Sequence, residues 1–233
     1  MPRGSRQIIR LLGLLTAATA LSACVTGRRS FDLPVKSAVS SAGTRGTVYI
    51  ASVTDDRHFE SDPSDPSIPS VDGDAAKMSA AQRDRMIGRQ RNSFGKAMGD
   101  VSLPTDDSVR RKVRSLIADG LIQSGYRITT DPRVAQTISV SIRNFWGWMT
   151  PGFFALTFEA KIDCAITASG PAGVHTIIVK GYGINHGQFA KDANWIEAFD
   201  PAFEDFTSNL DAQLQDLRLQ GTTVTEAAST ASQ

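Results

Sequence analysis

The chain has 233 residues, 41% of them hydrophobic, with 25 Lys and Arg against 24 Asp and Glu. That is enough apolar material for one core and too little basic excess for a nucleic-acid binder. Two cysteines exclude a scaffold stapled by several disulfides.

The first segment reads as an export signal. Arg3, Arg6 and Arg10 make a basic start, and Leu11 to Ala20 is an apolar run too short to span a bilayer. It ends in Leu21-Ser22-Ala23-Cys24, which resembles the lipobox of bacterial lipoproteins. The resemblance implies a signal peptide over 1–23, cleavage before Cys24, and acylation of that cysteine's thiol and new amino group. Each buried acyl CH₂ contributes about 0.8 kcal/mol, so several chains on one residue hold a protein on a membrane where a single chain would not. By the lipoprotein sorting rule, Val25 in place of aspartate implies the periplasmic face of the outer membrane. Without residues 1–23, which hold three arginines and no acid, 22 basic residues remain against 24 acidic ones.

Residues 24–46 mix Ser, Gly, Ala and basic residues without periodicity, which predicts a flexible tether. Thr47 to Val53 is rich in β-branched residues and predicts a first strand. Asp55 to Asp74 carries seven acids against one arginine, with Pro63, Pro66, Pro69 and Gly73, and predicts a long exposed loop, disordered in whole or part, over about 55–80. Residues 81–115 reverse the charge, with nine Lys or Arg against four Asp, so the acidic loop is their simplest partner. Within them Asp106, Asp107 or Ser108 can cap a helix whose apolar face is Val109, Val113, Leu116, Ile117 and Leu121, with Gly125 just past its end. Its basic face of Arg110, Arg111, Lys112 and Arg114 is either solvated or a patch for an acidic partner or anionic lipid.

A short strand is expected at Tyr126 to Thr130, then a turn at Asp131-Pro132. Ile138, Val140 and Ile142 alternate with polar residues, and a second run alternates from Phe154 through Ile166, with Cys164 on its apolar side. Thr157, Glu159, Lys161, Asp163 and Thr167 fall on the other side, which predicts a sheet covered on one face and wet on the other. After the Gly170-Pro171 turn, Val174 to Asn185 makes another strand. Ile196, Phe199, Phe203, Phe206, Leu210, Leu214 and Leu217 recur at helical spacing; this helix either starts at Asp200 with Pro201 at its first position or starts near Asn194 and kinks at Pro201. Residues 219–233 form a polar tail expected to be disordered. The order predicts one α+β domain over 47–218, a two-layer sandwich with both helices on one face of a mostly antiparallel sheet.

Candidate chemistry is sparse. His58, His175 and His186 are too scattered for a three-histidine metal site, and the chain lacks a G-x-S-x-G elbow, a Walker loop and H-E-x-x-H. Gly88, Gly95 and Gly99 are spaced for tight turns rather than a phosphate cradle, and Asp62, Asp65, Asp72 and Asp74 match no calcium loop. Glu159 and Asp163 share one strand face, but a spacing of four puts them about 13 Å apart, beyond the roughly 5 to 9.5 Å of glycosidase carboxylate pairs. An envelope hydrolase using these carboxylates is the rival reading, and that separation counts against it. The aromatic run Phe145, Trp146, Trp148, Phe153 and Phe154 flanks a turn at Pro151-Gly152. It either caps the end of the core or presents Trp146, Trp148 and Phe153 to a protein or membrane surface.

Ile87-Gly88-x-x-Arg91-Asn92-x-x-Gly95-x-x-x-Gly99-x-Val101, the capped helix ending at Gly125-Tyr126, and Phe145-Trp146-Gly147-Trp148-Met149-Thr150-Pro151-Gly152-Phe153-Phe154, together with the lipobox, resemble the YajG-like family of bacterial lipoproteins. The resemblance covers roughly residues 45 to 217; the long acidic loop departs from it. It implies a non-catalytic envelope lipoprotein without a cofactor. The expected partners are the membrane, through Cys24, and another envelope protein met through the aromatic turn or through Arg110, Arg111 and Arg114. The alternative is an auxiliary lipoprotein of an envelope lipid or polysaccharide transport system.

Overall fold

The longest strand of the sheet, β6 (Gln136–Pro151), organises the molecule. The computed structural model describes residues 27–36, 45–71, 73–92, 94–134, 136–170 and 173–230. The elements before β6 are β1 (Arg29–Ser30), β2 (Thr47–Asp55), the single-turn helix α1 (Ala80–Arg83), β3 (Met86–Arg91), β4 (Ala97–Ser102), α2 (Val109–Gln123) and β5 (Arg127–Ile128). After it come β7 (Leu156–Gly170), β8 (Gly173–Gly187) and α3 (Asp192–Thr230).

One edge of β6 pairs in parallel with β2 along its first half and with β3 along its second. Its other edge pairs antiparallel with β7, which pairs antiparallel with β8. β1 and β5 are added in parallel to β4 and β2, and β3 and β4 form a hairpin. The sheet is therefore mixed. This corrects the expected mostly antiparallel sheet while leaving the α+β class in place. The cause lies in connectivity: β2 returns to β6 only after α2 and the β3–β4 hairpin, and such a crossover brings strands together in parallel. The hairpin was invisible to periodicity because all six residues of β3, Met86 to Arg91, are buried although three of them are Arg, Gln and Arg.

Both long helices contribute to one core. Val109, Val113, Ile117 and Leu121 of α2, and Trp195, Phe199, Phe203, Phe206 and Leu210 of α3, close over Ile138, Val140, Ile142, Phe158, Ile162 and Cys164. Burial pushes the Cys164 thiol pKa far up, which leaves it a packed, inert side chain. The Ser108 side chain caps α2 by accepting from the Arg111 amide, and Gly125 follows its end at φ +85°. α3 begins at Asp192 and passes through Pro201. Proline removes one helical hydrogen bond, but Trp195 and Phe199 before it and Phe203 and Phe206 after it are buried in the same core and hold both halves in place.

α3 also covers the open edge of β8. A Cβ on Gly183 would lie 2.2 Å from the Ala198 carbonyl, and one on Gly181 would lie 2.3 Å from that of Ala202, so only glycine admits the helix this close. From there the Tyr182 amide donates to Asp205, while Asn209 and Gln213 donate to the carbonyls of Lys180 and Ile178. Side chains thus occupy backbone groups that would otherwise invite another strand.

A register shift between Ile142 and Asn144 changes which side chains face the helices. Ile138, Val140 and Ile142 face them before the shift; Phe145, stacked on Phe199 at 5.3 Å, and Met149 do so after it. Trp146 and Trp148 consequently point to the opposite face. There they form a second core with Phe59, Val71 and Met86 beneath the segment 56–79. The loop expected to be exposed is ordered and packed instead, and the sheet is covered on both faces at this point.

Arg57 secures that cover. Its guanidinium is fully buried, pairs twice with Asp55 at 2.7 Å, and donates to the carbonyls of Met86, Phe145 and Arg83 at 2.7 to 2.9 Å. It also lies 5.0 Å over the Phe59 ring. The tether is corrected as well: β1 is part of the sheet, and Phe31 and Leu33 are buried in the main core. The signal peptide and Cys24 lie outside the described residues, as do 37–44 of the tether. α3 continues to Thr230, so most of the segment expected as a disordered tail is helical; residues 231–233, and the side chains from 216 on, lie outside the described residues.

Candidate functional site

The aromatic residues singled out in the sequence separate into two groups. Trp146 and Trp148 are 0% and 7% exposed, and the Trp146 indole donates to the Pro66 carbonyl at 3.2 Å. Of the two readings of the aromatic run, this removes the one that presents Trp146 and Trp148 to a partner and leaves the one that buries them in a core. Phe145 belongs to the main core. Phe153 and Phe154 do stand at the β6–β7 turn, 93% and 88% exposed and edge-to-face at 4.6 Å.

The basic helix face is satisfied within the chain. Arg110 donates to Asp84 at 2.8 Å, Arg111 pairs with Asp107 and donates to the Asp106 carbonyl, and Arg114 donates to the Ile50 carbonyl at 2.9 Å. Lys112 bridges Asp107 at 2.7 Å and Asp32 at 2.8 Å. Their partners are not the acidic loop. Two residues of the basic segment do meet that loop: Arg91 through the Ser70 hydroxyl and the fields of Asp62 and Asp65, and Arg83, whose guanidinium lies 5.9 Å over the Phe59 ring.

Register places several termini together at one end of the sheet. Gly88 and Arg89 of β3 pair with Gly147 and Trp148, Pro151 pairs with Leu156, and Leu156 with Gly187. The β3–β4 turn, the β6–β7 turn and the exit of β8 therefore share that end. β1 runs parallel to β4, and Gly27 lies against Gly99, so the chain before Gly27 also leaves there. Each turn carries an exposed phenylalanine: Phe94 (94%) between β3 and β4, Phe153 and Phe154 between β6 and β7, and Phe189 (65%) after β8. Gly95, at φ +78°, and an Asn92 side chain accepting from the amides of Phe94 and Lys96 fix the first turn.

Between these turns lies an open, largely apolar cleft of about 730 Å³. Met149, Pro151, Leu156 and Phe189 line it beside Arg29, Arg91 and Lys191. Arg29 is paired with Asp192 at 2.8 Å, and the Lys191 ammonium lies 5.7 Å over the Phe189 ring. Sequence reading found Phe153 and missed Phe94 and Phe189. Each follows a strand that ends at a glycine or Asn turn, but only the strand order reveals that these ends meet.

The other candidates are dispersed. Glu159 accepts from the Tyr182 hydroxyl at 2.5 Å; burial and then this hydrogen bond push the tyrosine pKa up to about 12. Asp163 lies in register with Lys180 on the same ribbon. His175 and His186 lie near opposite ends of β8, and His58 is exposed beside Glu60. Among the described residues no group of three His, Cys, Asp or Glu is arranged to hold a metal ion. Asp65 and Asp74 cap their own local turns, and Asp72 lies outside the described residues. A second cavity of about 530 Å³ between α2 and α3 is lined by Asp119, Asp200, Glu204 and Asp211 together with Leu116 and Phe203.

No known family matches the sequence, and no curated protein does. Among solved structures, one uncharacterized protein is similar with a TM-score of 0.41 and 9% identity, over 81% of this chain and 99% of its own. A second, protein XCC0632 from Xanthomonas campestris, of family DUF330, is similar with a TM-score of 0.40 and 12% identity, over 81% of this chain and 99% of its own. Neither likeness confirms a YajG-like family.

Proposed function

We propose that this chain is a non-catalytic lipoprotein of the YajG-like kind, held through acylated Cys24 at the periplasmic face of the outer membrane, where it serves as a binding module for another envelope component. The observation that carries this reading is the position of β1. Gly27, three residues after the cysteine of the lipobox, already lies against Gly99, and the chain pairs into the sheet from Arg29, so the folded domain begins close to that cysteine in sequence. A catalytic role finds less support, since Glu159 is engaged by Tyr182 and lies outside both cavities described above.

Mass spectrometry of the amino-terminal peptide from purified envelopes tests the anchor. The expected result is a peptide beginning at Cys24 with diacylglyceryl and amide-linked acyl mass, lost in Cys24→Ala. An unmodified Cys24, or cleavage elsewhere, overturns it.

The cleft at the anchor end favours a second reading, an accessory subunit of an envelope lipid or polysaccharide transport system. Its apolar lining beside Arg91 and Lys191, with Arg29 already paired to Asp192, suits an acyl chain with an anionic head. Native mass spectrometry of the protein extracted from envelopes should then show a retained phospholipid, which Leu156→Asp releases. A protein free of lipid under mild extraction would remove this second reading.

A further inference from the structure

The end of the sheet described above has three features that converge independently. Four exposed phenylalanines, Phe94, Phe153, Phe154 and Phe189, project from three different connections. Exposed cations stand among them: Lys96, Lys191 and Arg28, whose guanidinium remains largely exposed although it reaches Asp100 at 4.0 Å. The chain leading back to Cys24 leaves the fold at the same place. Singly exposed apolar residues are ordinary, but four large rings gathered at one end are not.

We propose that this end of the sheet docks into the surface of a phospholipid bilayer, with the phenylalanine rings at the boundary of headgroups and acyl chains and Arg28, Lys96 and Lys191 against anionic headgroups. The proposal rests on the reading of Cys24 as the acylated residue. Three extended residues reach at most about 10 Å, so a lipid on Cys24 keeps Gly27, and the turns beside it, within one headgroup layer of the membrane. Apolar rings on short turns, flanked by Lys and Arg, suit insertion of about 5–10 Å into that layer. The anchored domain would therefore have a fixed orientation. β6, β7 and β8 would run away from the membrane, with the β7–β8 turn as the distal pole.

The test uses the full chain purified from envelopes and reconstituted in vesicles of phosphatidylethanolamine and phosphatidylglycerol with brominated acyl chains. Phe153→Trp places a fluorophore at the proposed contact, and Val174→Trp places one at the far end of β8, roughly 40 Å away along the strand. The native Trp146, Trp148 and Trp195 are buried, so they contribute a constant background. Intact mass measured on the same sample reports acylation. The expected result is an about twofold or greater loss of the Phe153→Trp signal and no loss at Val174→Trp. Quenching at Phe153→Trp in an unacylated sample would support the docking surface while removing the anchor. Acylated protein with no quenching, as when another protein covers this end, overturns the docking surface and leaves the anchor standing. Equal quenching at both positions, or neither acylation nor quenching, overturns it as well.

Discussion

β6 has two covered faces that are built in opposite ways. On one side, helices with apolar residues every three or four positions lay a continuous stripe over Ile138, Val140, Ile142 and Phe145. On the other, a proline-rich, acidic segment without periodicity covers Trp146 and Trp148, and its buried apolar side chains among the described residues are Phe59, Val71 and the prolines Pro63 and Pro69. The first cover is held by many dispersed contacts. The second depends on one guanidinium that satisfies a carboxylate and three carbonyls at once. Burying a polar cluster succeeds when each member is paired, and it fails as a unit when one member is removed.

Four substitutions or conditions sharpen that contrast. Phe199→Ala should cost the most, about 3–5 kcal/mol, because it opens a cavity between Phe145, Phe203 and Gly147 in the main core. A shift in the urea midpoint, followed by circular dichroism, measures it. Arg57→Met should cost about 3 kcal/mol, since it leaves Asp55 and the carbonyls of Arg83, Met86 and Phe145 without their donor. Its distinguishing sign is faster tryptic cleavage at Lys77 under native conditions. Unchanged cleavage alongside a lowered midpoint would mean that the two covers unfold as one unit.

Gly183→Ala should cost about 1–3 kcal/mol through overpacking, because the new Cβ meets the Ala198 carbonyl and pushes α3 off β8. The smallest effect concerns the strap of residues 28–36. The hydrogen bond from Lys112 lowers the Asp32 pKa below its ordinary value of 3.8. The contribution of this pair is therefore present above pH 3.8 and is lost as pH falls through the lower folded value. Burial pulls the Lys112 pKa down, yet hydrogen bonds to Asp107 and Asp32 outweigh it and raise it, so the same contribution also fades at pH above 10.5. The protection factor of the Leu33 amide, the exchange rate relative to that of an unstructured chain at the same pH, should fall in acid in the native chain and lose that fall in Asp32→Asn.

Several elements could be read directly from the chain. α2 was legible from the cap candidates Asp106, Asp107 and Ser108, of which Ser108 is the one used, and from its apolar stripe and Gly125, because each of these acts within a few residues. β7 and the burial of Cys164 followed from strict alternation. The β3–β4 hairpin was not legible, since Arg89, Gln90 and Arg91 are buried by neighbours distant in sequence rather than by their own pattern. The proposed docking surface was half legible: Phe153 stood out beside Pro151-Gly152, whereas Phe94 and Phe189 are single residues in polar surroundings.

By itself, the sequence determined the two long helices, the β6–β8 ribbon and the α+β class, since capping, periodicity and turn chemistry are local. Tertiary structure alone decided the parallel pairing of β2 and β3 with β6, the inward turn of Trp146 and Trp148, and the gathering of four phenylalanines where the chain emerges. Those outcomes depend on register, on a one-residue bulge and on which strand ends meet, and these are relations between segments that no single segment encodes.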